Sequence, residues 1–398
     1  MSPVHARLLT PTPEVLAREL AGFGAAPDNA QARARAASFV AVRLAGLPAT
    51  TLEAVAAAMR AQGGQVLGAP DRGDAVVLGT RGQFAGLIQG LRAPEAGDGA
   101  VAQELRDLFA ALDHPTPPLQ LGRHTLPLGQ RTLVMGILNM TPDSFSGDGL
   151  DLSIDAAVAR AQAMRVAGAD ILDVGGMSTR PGAEEIPESE ELRRVVPLIA
   201  RLAREVDLPL SVDTYRAAVA EAALGAGAVI VNDITGLGAE PELAGVVARG
   251  GAALVLMHIQ GTPRTMQHDP QYADLMGEII DYLRAACNRA VAAGVPRDRL
   301  WIDPGIGFGK TGDHNLEVLR RLGELRSLGL PVLVGTSRKG FLGRILGGRP
   351  PDERVAATGA TVAVSVAHGA DIVRVHDVGP AVDVARVADA IMRGMPRR

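Results

Sequence analysis

LPLSVDTYRAAVAEAALGAGAVIVND, residues 208–233, reads as strand, helix, strand. Two short apolar runs, LPLSVD (208–213) and AVIVND (228–233), flank the alanine-rich helical stretch TYRAAVAEAAL. Runs of this length bounded by polar residues suit buried strands. Their alternation with a helix implies parallel strands joined by crossovers. Each run ends on polar side chains: Asp213 in the first, Asn232 and Asp233 in the second.

The same alternation recurs on both sides. Further runs are LVMGILN (133–139), DILDVGG (170–176), AALVLMH (252–258), LWIDPG (300–305), PVLVGT (331–336) and DIVRVHD (371–377), eight in all. Between them, Ile154, Ala157, Val158 and Ala161 share one helical face. So do Leu192, Val195, Val196, Ile199 and Leu202, where Pro197 predicts a kink. Eight βα units imply a closed (β/α)₈ TIM barrel, an α/β fold. The alternative is an open doubly wound sheet, but no G-x-G-x-x-G follows the first strand.

Upstream the pattern differs. Residues 114–131, HPTPPLQLGRHTLPLGQR, are proline-rich and unperiodic, so 121–131 is expected to be a linker. Residues 1–120 read as a smaller N-terminal α/β domain of unknown role, and 132–398 as the barrel. In the N-terminal part, 38–46 and 74–80 suit strands, while 50–64, 83–92 and 101–112 suit helices.

Composition narrows the function. Apolar residues make up 47% and aromatics only 3%, so the core must be aliphatic. A formal net charge of −4 argues against a nucleic-acid groove or an anionic membrane partner. No apolar run approaches a membrane span, and no secretory leader is read at the start of the chain. The single cysteine, Cys287, excludes an internal disulfide and suits a small buried position in a helix. A soluble cytoplasmic protein is expected.

In a TIM barrel the chemistry collects where strands end. The ends here carry Asn139, Asp213, Asn232, Asp233, His258, Asp303, the trio Ser337–Arg338–Lys339, and Arg374 with His376. Asp213 and Asp233 also fit helix N-caps, and His258 fits a structural role. Convergence favours a polar ligand, because burying these groups uncompensated is costly. Asn and Asp together suit a flat heterocycle with amide and amino edges. Of 40 basic residues only Lys310 and Lys339 are lysine. An ammonium is a compact point charge where arginine is a planar fork, so Lys339 could reach a ring nitrogen or carbonyl. Lys310 could anchor the loop after strand six or face solvent, and is left out of the catalytic set. Arg374 and His376, two apart on a strand, face one side. With Thr179 and Arg180 they could clamp phosphate oxygens. Neutral Asn139 could complete a Mg²⁺ shell made mainly of phosphate oxygens and water. No zinc spacing is present.

Taken together, MGILNMTPDSFSGDG (135–149), DVGGMSTRPGAE (173–184), SVDT (211–214), VNDITG (231–236), MHIQGTPRTMQ (257–267), DPGIGFGK (303–310), GTSRKGF (335–341) and RVHDV (374–378) resemble the dihydropteroate synthases. The resemblance covers about 129–390. It implies joining 4-aminobenzoate to 6-hydroxymethyl-7,8-dihydropterin diphosphate with release of diphosphate. Lys339, Asp303 and Asp213 would be catalytic. Asp213, Asn232, Met257, Asp303 and Lys339 would hold the pterin. Asn139, Thr179, Arg374 and His376 would hold diphosphate, with Mg²⁺ on Asn139. Phe145, Arg180, Pro181, Phe308 and Ser337 would hold aminobenzoate. The loops TPDSFSGDG and MSTRPGAEEIPESE would close as a lid, and a homodimer would be the assembly. The family usually reads SFSDGG where this chain has Ser146-Gly147-Asp148-Gly149, which displaces the acid by one residue. Other readings are a non-catalytic pterin-binding paralogue, a pterin-dependent methyltransferase, and a Schiff-base aldolase using Lys339.

Overall fold

The computed structural model describes residues 12–69, 73–91, 98–113, 116–140, 154–178 and 185–395. The chain divides into two units, 1–110 and 111–398.

In the first unit, α1 (Pro13–Gly22) and α2 (Pro27–Ala37) lead into β1 (Phe39–Leu44), α3 (Ala49–Ala61), β2 (Gln65–Ala69), β3 (Asp74–Thr80), α4 (Arg81–Gly90) and α5 (Asp98–Asp113). The sheet is antiparallel in the order β1–β3–β2. Alternation aims Val42 and Val77 at a core shared with Val55, Met59, Phe84, Leu87 and Leu105 of the helices. Thr80 and Gln83 form a reciprocal capping box at the start of α4. β1 and β3 are the strands read from sequence. The glycine-flanked β2 and the two N-terminal helices were not read there, because glycine and an Ala/Arg-rich composition mask a periodic apolar face.

In the second unit a hairpin, β4 (Leu119–Leu121) and β5 (His124–Leu126), precedes eight parallel strands. They are β6 (Leu133–Asn139), β7 (Ile171–Gly175), β8 (Leu210–Asp213), β9 (Ile230–Asp233), β10 (Ala253–Met257), β11 (Leu300–Asp303), β12 (Leu333–Val334) and β13 (Ile372–Val375). The ladder runs β11–β10–β9–β8–β7–β6–β13–β12. A parallel bridge between Ile302 and Val332 joins its two ends and closes the barrel. Helices α6 (Ile154–Val166), α7 (Glu188–Glu205), α8 (Ala217–Ala226), α9 (Leu243–Gly250), α10 (Leu275–Ala292), α11 (Gly312–Arg320), α12 (Gly340–Ile345), α13 (Val355–Ala367) and α14 (Val378–Arg393) lie between and after them. Helix α7 continues through Pro197.

The two-residue period of each strand sorts side chains between two cores. Val134, Leu138, Leu210, Val212, Val231, Leu254, Leu256, Leu300, Ile302, Val373 and Val375 face the helices. Leu133, Met135, Ile171, Ile230, Ala253, Val255, Trp301 and Ile372 fill the barrel interior. Continuing the interior parity upward reaches Asn139, Asp173, Asp213, Asn232, Met257, Asp303, Arg374 and His376. One phase therefore carries the aliphatic plug below and the polar layer above.

The expected linker at 121–131 is different in the structure. Leu119, Leu121, Leu126 and Leu128, around and within the hairpin, pack into the lower interior core beside Trp301 and Met135. Each buried leucine is worth about 1.5–3 kcal/mol as an upper estimate. Prolines on either side hid a genuine alternation of leucines. Among the described residues no helix is long and apolar enough to cross a membrane.

Candidate active site

Arg374 organises the polar layer. Its Nε donates to Asp173 Oδ2 at 2.6 Å and its terminal nitrogen to Asp213 Oδ2 at 2.6 Å. Asn232 Nδ2 donates to the same Asp173 oxygen at 3.1 Å. Among the described residues, Asp173 Oδ1 and Asp213 Oδ1 are buried and accept no hydrogen bond. Two buried acceptors without donors favour a donor-rich guest or ordered water at this spot. Burial pushes the Asp213 carboxyl up, against the pull of Arg374. Burial also opposes the Arg374 charge, but Asp173 and Asp213 more than offset it, so its pKa rises. A side-chain carbon at Gly175 would stand 3.2 Å from Asn139 Oδ1 and 3.6 Å from Asp213 Cβ, so a larger residue would crowd the Asn139 amide.

Within reach of Arg374 and Asp213 stands Lys339. Its Nζ donates to the carbonyl of Ile306 and lies 4.5 Å from the centroid of the Phe308 ring. Burial lowers its pKa to about 8, opposed mainly by Asp303. Asp303 is pushed up by burial and pulled back by Lys339 and by the Gly305 N–H, which donates at 2.7 Å. The turn after β11 holds Gly305, Gly307 and Gly309, all at positive φ. At Gly307 a Cβ would come within 3.0 Å of Lys339 Cδ, so that glycine serves close approach as well as conformation. Met257 and Phe308 meet in an apolar cluster at the barrel mouth with Met177, Tyr215, Ile234, Ile259 and Met266.

Ser337 and His376 form the third group. Ser337 Oγ accepts the His376 N–H at 3.1 Å and lies 3.0 Å from His376 Nδ1. Burial, Arg374 and Arg338 push the His376 pKa down to about 3. His376 is therefore neutral near pH 7 in this state. Arg338, at φ 60°, pairs with Asp377 through two nitrogens at 2.9 and 2.5 Å.

The structure thus gathers Asn139, Asp213, Asn232, Met257, Asp303, Phe308, Ser337, Lys339, Arg374 and His376 at one end of the barrel. Thr179, Arg180, Pro181, Phe145 and Asp148 lie outside the described residues, as do the tips of both expected lid loops. Asp233 turns away: it accepts from Thr235 N, Thr235 Oγ and Leu237 N at 2.6–2.7 Å, a local turn role. Cys287 is buried on α10, where burial pushes its thiol up to about 11. Arg374, expected at the diphosphate, bonds two acids next to Asn232. Asp173, missed as a site residue, was findable, since it sits two before Gly175 on the interior phase of DVGG.

A family model for pterin binding enzymes matches residues 135–376. A dihydropteroate synthase from Synechocystis is 50% identical over 281 residues, covering 71% of this chain and 97% of that protein. A probable bifunctional folylpolyglutamate synthase/dihydropteroate synthase from Haloferax volcanii is 43% identical over 324 residues, 79% of this chain and 38% of that one. The crystal structure of Yersinia pestis dihydropteroate synthase with a sulfonamide drug complex aligns at TM-score 0.66 and 46% identity, covering 69% of this chain and 98% of that one. Polar layer, motif order and these likenesses agree: the chain belongs to the pterin-binding enzymes, within the dihydropteroate synthase family.

Proposed function

We propose that this chain condenses 4-aminobenzoate with 6-hydroxymethyl-7,8-dihydropterin diphosphate, yielding 7,8-dihydropteroate and diphosphate. The observation that carries the reading is the pair of unpartnered carboxylate oxygens on Asp173 and Asp213, buried beside Asn232 and facing the same interior as Asp303 and Lys339. A pterin edge offers amino and ring N–H donors to such acceptors and a carbonyl to an amide or ammonium.

The diphosphate-bearing carbon is attached to an electron-rich ring, so the leaving group can depart before the amine attacks. Carboxylates at Asp213 and Asp303 offset positive charge developing on the ring. The neutral aniline nitrogen then attacks the carbon, held near it by the binding site. No side-chain nucleophile is needed. In this reading Ser337 and Phe308 meet aminobenzoate, Phe145, Arg180 and Pro181 complete its site, and Thr179 contacts the diphosphate. Asn139 offers one neutral oxygen beside Asp213. Among the described residues no group of three acids, histidines or cysteines could hold a metal. This donor set fits a Mg²⁺ that is held mainly by the diphosphate and touches Asn139. When bound, Mg²⁺ would stabilise charge on the departing group.

We read the assembly as a cytoplasmic homodimer. Exposed Val387, Ile391 and Met392 on α14 support a self-association face, and sedimentation of the full chain tests it. The activity test is diphosphate release by the full chain with and without 4-aminobenzoate. Release that requires both substrates is expected. Pterin binding without release would make the chain a non-catalytic paralogue.

A further inference from the structure

This inference rests on the synthase reading. It concerns the second of the chain's two lysines. Lys310 is only 1% exposed, among the largest fully buried side chains. Its Nζ lies 2.8 Å from His258 Nδ1 and donates to the Phe308 carbonyl at 3.1 Å. As an ammonium Lys310 can only donate, and in that state His258 Nδ1 is the acceptor and the imidazole proton sits on Nε2. Burial, then Lys310, push the His258 pKa down to about 2, which fixes the ring as neutral.

These bonds fasten one turn. Residues 305–309 fold back tightly on the end of β10: a Cβ at Gly305 would lie 1.9 Å from His258 O, and one at Gly309 would lie 2.5 Å from Gln260 O. The turn's polar groups are held from several sides. Asn315 Oδ1 accepts Gly307 N at 2.6 Å, Gln267 Nε2 donates to Gly307 O at 2.9 Å, and Tyr272 OH donates to Gly309 O at 2.6 Å. Lys310 completes the set at Phe308 O. The turn presents to Lys339 both the Ile306 carbonyl and the Phe308 ring. Lys310 also acts on Asp303, whose ionised form it favours.

We propose that Lys310 is a positioning residue of the pterin site. It pins the 305–309 turn to the segment that follows β10 through His258 and Phe308, and it sets a second positive charge against Asp303. The choice of lysine over arginine follows. Lys310 is buried against His258 and Phe308 O, His258 is itself backed by the rings of Tyr272 and Tyr282, and a planar guanidinium would not enter without displacing the turn.

The charged and titratable groups around Lys310 are His258 just after β10, Asp303 on β11 and Lys339 after β12, with Tyr272 before α10 and Tyr282 on α10 packed on His258 and His314 of α11 against Tyr272. Of these, Asp303 and Lys339 carry the charge that changes when Lys310 is lost. The test is kcat/KM for the pterin diphosphate across pH 5–9 in full-length protein, roughly the range that acid and base limbs report. Lys310→Met is expected to lower kcat/KM about 10²-fold, chiefly through KM, because the turn bearing Phe308 moves. Its acid limb shifts to higher pH, since Asp303 loses one of its two lysines. Lys310→Arg is expected not to restore either property. His258→Phe keeps the Lys310 bond to Phe308 but removes the acceptor. It reads the same linkage if Lys310→Met fails to fold, and a raised KM is expected. A Lys310→Met enzyme with a wild-type KM and a superimposable pH profile would overturn the proposal. So would full rescue by Lys310→Arg, or, for an unfolded Lys310→Met, an unchanged His258→Phe. Wild-type protein without diphosphate release would instead sink the synthase reading itself.

Discussion

Arg374 on β13 and Asp213 on β8 stand 161 residues apart in sequence and 2.6 Å apart in the barrel. Asp173 shares the same guanidinium at 2.6 Å. Removing Arg374 strands two buried acids. Arg374→Met is expected to destabilise the barrel by about 3–5 kcal/mol, the usual cost of an uncompensated buried charge. Arg374→Lys, a single point charge, cannot span both acids and is expected to recover part of the stability and little turnover. Urea denaturation beside steady-state assay separates the two effects.

Lys339→Arg is expected to lose at least about 10²-fold in kcat/KM, because misplacing a group at the reacting centre by about 1 Å costs that much. The ammonium fits against Gly307, where a Cβ would already come within 3.0 Å of Lys339 Cδ, and lies above Phe308. Near-wild-type turnover in this variant would remove Lys339 from the site.

Activity and stability are expected to move in opposite directions as pH rises. The Lys339 ammonium exists below its pKa of about 8, so kcat/KM should fall above pH 8 as that charge is lost. Lys310 and Lys339 have folded pKa values of about 7 and about 8, below the ordinary 10.5. The unfolded chain therefore binds more protons between roughly pH 7 and 10, and stability from these groups increases with pH across that window. Urea midpoints at pH 7, 8.5 and 10 check the sign, allowing for other groups by repeating them with Lys310→Met, whose slope should be flatter.

The hairpin makes the domain boundary testable. A chain beginning at Ala111 keeps Leu119, Leu121, Leu126 and Leu128 against Trp301 in the lower core. It is expected to fold with the single tryptophan shielded and to retain turnover. A chain beginning at Thr132 loses all four leucines, on the order of several kcal/mol of burial, and should unfold at markedly lower urea or aggregate. Trp301 fluorescence reports both outcomes.

Much of the barrel was legible because each strand carries its own signal. A run of six or seven residues rich in aliphatics, a polar tip and a following helix are local properties, and all eight strands fall within the runs read from sequence. The hairpin was not legible, since three-residue strands amid prolines have too few residues to show a period. In the site, Asn139, Asp213, Asn232, Asp303 and Lys339 were legible as strand ends. Asn232 and Asp233 could not be told apart until the phase of β9 was known: one side chain bonds Asp173, the next caps its own turn.

The order of residues along the chain therefore determined which strands exist, how many there are, and which polar groups they carry to their tips. This follows from the two-residue strand period and the composition of each run, which act over a few residues. Tertiary structure alone decided who meets whom: Arg374 with Asp173 and Asp213, Lys310 with His258, Ser337 with His376. Closing the barrel brings distant strands together, and long side chains then settle by charge and space that no local stretch encodes.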